Sequence, residues 1–298
     1  MSFSAQEKRI KLRALMVAEE TLICPGIYDA YGARLIQQAG FNAAYMTGNG
    51  VSASLLGVPD IGQVDLTMIA SHARRIASCI DIPLICDADT GYGGVLNIKR
   101  TIEEFEAAGV AAIHIEDQVF PKRCAQFPGA RDVLEFDEAV NHIKAAVNAR
   151  QSSNMVIIAR TDSAGQLGLA EAIRRAKAFI AEGADAVFVE VKTNTNILHD
   201  IQQIKNAVGA PCLVNLDIGG EISNVSKKTL KQIGVDIGIH PSLARGIFGF
   251  AMHSALLHLK QNENLGSYAA NMWSSQEYNR ALGLDGVEAW EAKFSSDN

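Results

Sequence analysis

Ile82-Pro-Leu-Ile-Cys-Asp-Ala-Asp-Thr-Gly-Tyr-Gly-Gly94 joins a short apolar run to two aspartates and a glycine-rich turn. On a strand, residues i and i+2 point to the same side. Asp87 and Asp89 are therefore expected to aim at one spot, where the chain turns through Gly91, Gly93 and Gly94. Two carboxylates crowded in a sheltered place repel unless a proton or a cation joins them. A hard divalent cation such as Mg2+ takes oxygen ligands and commonly keeps several waters. An isolated Asp-x-Asp is more often a pair of solvated loop residues, so the surrounding chain has to decide.

Outward from this stretch the same pattern recurs. Apolar runs of strand length begin at Leu22 and continue at 42–47, 84–86, 111–115, 155–159, 186–189, 212–215 and 235–239. Helical stretches lie at 5–20, 28–39, 65–79, 97–108, 135–150, 166–182, 196–207, 223–233 and 242–261. Gly109, Gly183, Gly209 and Gly234 fall just before strands, as helix C-caps do. Apolar runs that do not alternate mean a sheet buried on both faces. Eight strand–helix units in ~250 residues predict a (β/α)8 barrel, with a doubly wound open sheet as the runner-up. Polar residues end strand after strand: Thr47, Asp87, Glu116, Arg160, Glu190, Asn215 and His240. A barrel gathers those ends on one C-terminal face, where active sites sit. Residues 1–298 thus read as one barrel domain, with 262–298 as a C-terminal helical extension. Its pieces at 267–273, 276–281 and 286–294 would cover the barrel bottom or pack on a neighbouring subunit.

Composition narrows the classes. With 298 residues, 48% hydrophobic and 20% charged, the chain is an ordinary globular protein. A net charge of −6 offers no footprint for nucleic acid. No apolar run reaches the ~18 residues of a membrane span, and the first residues lack the apolar core of a secretory signal. The cysteines, Cys24, Cys79, Cys86, Cys124 and Cys212, are odd in number and include no Cys-x-x-Cys. A reduced, cytoplasmic setting is expected.

Several strand ends carry chemistry. With Asp87 and Asp89, Glu116 in His114-Ile-Glu-Asp117 and Asp60 after Pro59 make four acids around one point. Without an equal number of bases they call for a divalent cation, Mg2+ or in its place Mn2+. Taken singly, Asp60 could cap a helix and Asp117 could be solvated. Thr47-Gly-Asn-Gly50 reads as a turn presenting backbone N–H groups to an anion, or as a plain βα turn. Arg160 suits bidentate contact with a substrate carboxylate, or a salt bridge to Glu190 or Asp162. The long connection Phe120-Pro-Lys-Arg-Cys-Ala-Gln-Phe127 sets a thiol beside Lys122 and Arg123. Neighbouring cations lower a thiol's pKa, and such a connection over an active face can act as a lid.

Taken together these stretches resemble the isocitrate lyase / phosphoenolpyruvate mutase superfamily from about residue 5 to the end. The resemblance rests on Tyr45-Met-Thr-Gly-Asn-Gly50, Leu56-Gly-Val-Pro-Asp60, Asp87-Ala-Asp-Thr-Gly-Tyr-Gly93 and His114-Ile-Glu-Asp-Gln118. It continues in Pro121-Lys-Arg-Cys124, Ile158-Ala-Arg-Thr-Asp162 and Glu291-Ala-Lys-Phe294. The branch it looks most like holds methylisocitrate lyase, dimethylmalate lyase and carboxyphosphoenolpyruvate mutase. The resemblance implies a TIM barrel whose last barrel helix is exchanged between subunits, usually in a homotetramer. It implies Mg2+ at Asp87 and Asp89, with Glu116 and Asp60 reaching it through water. Tyr45 belongs to a matching motif, and Thr47, Gly48 and Asn49 would bind a substrate carboxylate by their backbone. Arg160, Glu190 and Asn215 would surround the substrate, and Cys124 would be the general acid.

The chain departs from that pattern in several places. Ala125-Gln126 replaces the lyases' Gly-His, Ile218 stands where Glu is frequent, and His240 precedes Pro241 where Tyr is common. Arg245 is one residue closer to Pro241 than the family's arginine, so its role is not carried over. The implied activity is Mg2+-dependent carbon–carbon cleavage of a small branched 2-hydroxy di- or tricarboxylate, of methylisocitrate or dimethylmalate type. The alternatives are an oxaloacetate hydrolase or decarboxylase, a phosphonate-forming mutase, and a catalytically silent barrel with a binding role.

Overall fold

The computed structural model describes residues 3–124, 131–191 and 196–295. Among them, eight strands pair in parallel: β1 Leu22–Ile27, β2 Ala44–Met46, β3 Leu84–Asp87, β4 Ala112–Glu116, β5 Val156–Thr161, β6 Ala186–Val189, β7 Leu213–Asn215 and β8 Ile237–His240. Their order is β6-β5-β4-β3-β2-β1-β8-β7. A parallel bridge between Val187 and Cys212 brings β6 against β7 and closes the ring. The barrel reading stands over the open sheet.

The helices are α1 Ala5–Met16, α2 Ala30–Gln38, α3 Gly48–Leu56, α4 Leu66–Cys79, α5 Val95–Ala107, α6 Phe136–Ala149 and α7 Ala164–Leu167. They continue with α8 Leu169–Ala181, α9 Ile197–Val208, α10 Lys227–Ile233, α11 Leu243–Asn262, α12 Ser275–Ala281 and α13 Leu284–Glu291. Local chemistry sets their ends. Ser4 and Glu7 form a capping box at α1, and Asp65 caps α4 through the Met68 N–H. Three expectations change. The helix expected over 166–182 breaks at Gly168, whose φ of 87° no helix residue adopts. The first helix ends at Met16 rather than at 20. Thr47–Gly50 is no isolated turn: Thr47 is the N-cap of α3 and Gly48 its first residue.

Apolar strand residues fill both faces of the sheet. Inside the ring Cys24, Tyr45, Ile85, Ile158, Phe188 and Ile239 pack with Leu12 and Met16 of α1. The bottom of the barrel is therefore closed by α1, not by the C-terminal pieces. Lys8 Nζ donates to Ala77 O (2.8 Å) and Arg9 Nε to Val110 O (3.1 Å), fastening α1 across that end. Full burial of a side chain such as Leu12 stabilises by ~1.5–3 kcal/mol. The C-terminal α12 lies against α2, with Tyr278 tilted on Tyr31 at 5.4 Å. No helix among the described residues is long and apolar enough to cross a membrane.

Candidate active site

Strand register carries four polar side chains toward the C-terminal face. Asp87 stands opposite His114 across β3 and β4, and Glu116 opposite Arg160 across β4 and β5. Asp89 arrives by another route. It lies beyond β3 with φ at +48°, a conformation Asp tolerates, and its N–H donates to Asp87 Oδ1 at 3.0 Å. A turn, not strand alternation, brings the two carboxylates together.

Lys122 joins these acids. Its ammonium, 4% exposed, lies 2.9 Å from Asp60 and 2.6 Å from Asp89. Sequence reading placed Lys122 beside the thiol; instead its charge is held by carboxylates. Burial alone would weaken the ammonium, but Asp89, Asp87, Asp60 and Glu116 hold its pKa well above the ordinary value. Burial raises Asp89 to about 7, with Asp87 and Asp60 adding to the rise and Lys122 opposing it. For Asp87 burial is outweighed, and its carboxyl lies well below the usual range. Protonated His114 is the first cause of that fall, with Lys122 and Arg160 after it; His114 itself, pushed down to about 4 chiefly by burial, is neutral at neutral pH, where Lys122 and Arg160 are the charges left beside Asp87.

His114 was not singled out from the sequence, although it lies two residues before Glu116 on β4 and so shares its side. Its Nε2 meets Tyr45 Oη at 2.8 Å and its Nδ1 lies 3.7 Å from Asp87 Oδ1. Burial and Asp87 push the Tyr45 phenol well up, so it stays protonated beside the His114 ring.

Arg160 makes both of its alternative contacts and one more. Nη1 lies 3.0 Å from Glu116 Oε2, Nη2 donates to Asp162 Oδ1 at 3.1 Å, and Glu190 is 3.8 Å away. The guanidinium also lies over the Phe188 ring, 4.8 Å from its centre. Asp162 is fixed in turn by Arg131 and Gln118. Burial raises Glu116 well above the usual carboxylate range against the pull of Arg160. Its Oε1 is buried with no hydrogen-bond partner among the described residues. Asp117 is not solvated: it is buried and accepts from Thr161 Oγ1, the Asp162 N–H and Arg175.

The first turn of α3 closes the opposite side. Gly48 N–H reaches Asp87 Oδ2 at 3.3 Å, and a Cβ there would stand 2.8 Å from the same oxygen, so only glycine fits. Thr47 N–H is given to Ile27 O at 3.0 Å. Two of the three backbone donors expected to hold a substrate are thus already engaged inside the protein. Asn49 instead offers its side chain, whose Nδ2 donates to Cys124 Sγ at 3.3 Å.

One pocket gathers Tyr45, Thr47, Asn49, Asp60, Asp87 and Glu116 with Lys122 and Cys124. Arg160, Glu190 and Asn215 line its other side. Gly48 and Asp89 stand behind these, through Asp87 and Lys122. Phe188, Ile239 and Pro241 supply an apolar portion of the wall. Arg245 and Ser242, joined at 2.8 Å, also line it; the one-residue displacement from Pro241 had hidden Arg245. His240 bonds Asp217 at 2.7 Å beside them. The cavity measures about 60 Å3, below the ~300 Å3 of ordinary ligand pockets. Ala125 and Gln126, which replace the lyases' Gly-His, lie outside the described residues.

Among the described residues no three His, Cys, Asp or Glu side chains form a ready cage for a metal ion. Mg2+ does not need one, since one or two carboxylates and several waters commonly hold it. The all-oxygen donors Asp87, Asp89, Asp60 and Glu116, with Glu116 Oε1 buried and unpaired among the described residues, suit such a hard cation.

Known proteins give independent bearings on this chain. The phosphoenolpyruvate phosphomutase family profile matches residues 12–257. A 2-methylisocitrate lyase of Shewanella oneidensis is 41% identical over 251 residues, 84% of each chain. A crystal structure of 2,3-dimethylmalate lyase superposes with a TM-score of 0.88 at 36% identity, covering 98% of this chain and 96% of that one. An oxaloacetate acetylhydrolase structure in complex with 3,3-difluorooxalacetate gives 0.90 at 32% identity, covering 99% and 100%. Identity and coverage of that order place the chain in the phosphoenolpyruvate phosphomutase family, within the PEP mutase/isocitrate lyase superfamily.

Proposed function

We propose that the protein is a Mg2+-dependent carbon–carbon lyase that cleaves a small branched 2-hydroxy di- or tricarboxylate into a keto acid and a second carboxylate. The observation that carries this reading is the pocket itself: a thiol, a guanidinium and a group of carboxylates face one cavity with a partly apolar wall. The relatives named 2-methylisocitrate lyase and 2,3-dimethylmalate lyase support it.

Asp87 would be the principal ligand of Mg2+, with Asp89, Glu116 and Asp60 around it. When bound, the ion supplies Lewis acidity beside the bond that breaks. The chain's own groups do the rest. Arg160, already over Phe188, holds a carboxylate, and Glu190 and Asn215 fix the remaining polar groups. Phe188, Ile239 and Pro241 take the alkyl branch. A base removes the hydroxyl proton, and Cys124 gives a proton to the carbon that leaves.

A second reading, hydrolysis of oxaloacetate, is favoured by the superposition on oxaloacetate acetylhydrolase. Cys124 in the pocket argues against a mutase, and the retained acids and Arg160 against a silent barrel. The test is a screen of branched malates, isocitrates and oxaloacetate with Mg2+ and with EDTA, with products read by NMR. Cleavage of a branched hydroxy acid only with Mg2+ is expected. Turnover of oxaloacetate alone, or cleavage undiminished by EDTA, would overturn the proposal.

The protein is also proposed to assemble as a homotetramer with α11 exchanged between subunits. No residue of this 20-residue helix is buried, and Ile247, Phe248 and Phe250 are among its exposed side chains. An apolar cleft of about 860 Å3 lies between the start of α11 and α2.

A further inference from the structure

We propose that Asn49 is a positioning residue for the Cys124 thiol, holding it over the pocket from the α3 side. The inference rests on the lyase reading only for the role of Cys124 as proton donor; the contact stands apart from it.

Asn49 follows Gly48 in the first turn of α3, and its Nδ2 reaches Cys124 Sγ, 75 residues away, at 3.3 Å. Both side chains line the same pocket. The base of α3 is firm. Val51 N–H returns to Thr47 O at 3.0 Å, and Gly48 N–H is tied to Asp87. The thiol, by contrast, follows residues 121–123, which belong to no helix or strand. Asn49 therefore transfers the rigidity of a helix start to the reacting sulfur.

One of the two cations that the sequence sets beside the thiol is committed elsewhere, since Lys122 is held by Asp60 and Asp89. A neutral amide fills its place without competing for those carboxylates. When the carbon–carbon bond breaks, its electron pair stays on the leaving carbon. That carbon takes the S–H proton, the substrate hydroxyl proton passes to a base, and the thiolate regains its proton from solvent. The transient sulfur anion is met by the Asn49 N–H and by the positive end of α3.

The test is a double-mutant cycle on the full chain with the hydroxy acid that the screen identifies. Asn49→Ala removes the donor; Asn49→Asp keeps its size and puts an acceptor there, which a helix start accommodates. Each should lower kcat about 10-fold, the weight of one hydrogen bond, with KM within about twofold. In a Cys124→Ala background, which leaves no acceptor for the amide, Asn49→Ala should change kcat by less than about twofold, because the effect acts through the thiol. A second readout needs no substrate. Cys124, identified by peptide mass spectrometry and compared at alkaline pH where the thiol is ionised in both proteins, should react at least about threefold faster with a bulky aromatic disulfide in Asn49→Ala, since the sulfur is no longer tied inward. Equal kcat losses in both backgrounds, or unchanged thiol reactivity, would overturn the proposal. If no hydroxy acid is cleaved, the thiol measurement alone decides the contact, and failure of the lyase reading is seen separately.

Discussion

Replacing Asp117 by Asn tests whether the carboxylate clamp around Arg160 rests on a buried ion pair. Asp117 accepts three hydrogen bonds: from Thr161 Oγ1 at 2.6 Å, from the Asp162 N–H at 2.9 Å and from Arg175 Nη1 at 3.0 Å. Asp117 and Arg175 are each 3% exposed, so solvent cannot take over. Asn keeps the shape and the acceptor for the Asp162 N–H but turns its NH2 toward both Arg175 and Thr161, which share Oδ2. Removing one partner of a buried pair costs ~3–5 kcal/mol. The lower end applies, because Arg175 Nε keeps Glu171 Oε1 at 3.0 Å. A loss of ~3 kcal/mol lowers Tm by roughly 5 °C in a chain of this size. Urea unfolding followed by circular dichroism, alongside calorimetry, measures both. Adding Arg175→Met should cost nothing further, because it removes the stranded charge. A loss below ~1 kcal/mol for Asp117→Asn, or a double variant clearly weaker than the single, would refute the reasoning.

Three other outcomes are expected. Cys124→Ser places the proton on a far weaker acid, so kcat should fall ~10²–10⁴-fold with little change in product binding; near-normal turnover would count against the general-acid role. Burial raises Cys212 to about 12 from 9.0, so its contribution is fully present below pH 9 and is lost as pH rises through 12. Wild-type stability should therefore fall ~1.4 kcal/mol more steeply per pH unit in that window than that of Cys212→Val, and parallel curves would contradict it. Phe248→Asp with Phe250→Asp, at positions 58% and 78% exposed in one chain, should shift sedimentation toward smaller species; an unchanged profile would argue against assembly through α11.

The barrel was legible because its strands are short apolar runs buried on both faces, and helix caps such as Gly209, with φ of 70°, punctuate them. Asp87, Glu116 and Arg160 were legible for the same reason, since each ends such a run. The geometry of Asp89 was not, because period-two reasoning fails once the backbone turns to φ +48°. Gly48 and Gly50 hid the start of α3, as glycine is a poor helix former. Lys122 sits in a connection with no periodicity, 62 residues from Asp60, so nothing local announced that pair. The Asn49–Cys124 contact was invisible on the same grounds.

The charges in the pocket divide into two halves. Around Arg160, Glu116 and Asp162 lie within 3.1 Å and Glu190 at 3.8 Å, with Arg131 bringing a second guanidinium to Asp162. Across the cavity Asp60, Asp87 and Asp89 face the single ammonium of Lys122, and Asp89 rises to about 7 because burial and its neighbours make its charge expensive. Carboxylates outnumber cations three to one on the aspartate side and three to two around Arg160, where the guanidinium donors gather. Like charges this close need a proton or a cation between them, and a substrate carboxylate is attracted only toward the guanidinium side. A 2-hydroxy acid has the matching polarity: its carboxylate suits the Arg160 side, and its hydroxyl, which must lose a proton, suits the aspartate side. The division also explains why the thiol is held by a neutral amide. A lysine or arginine in place of Asn49 would be drawn toward Asp87, whose Oδ2 already lies 3.3 Å from the neighbouring Gly48 N–H, and away from the sulfur.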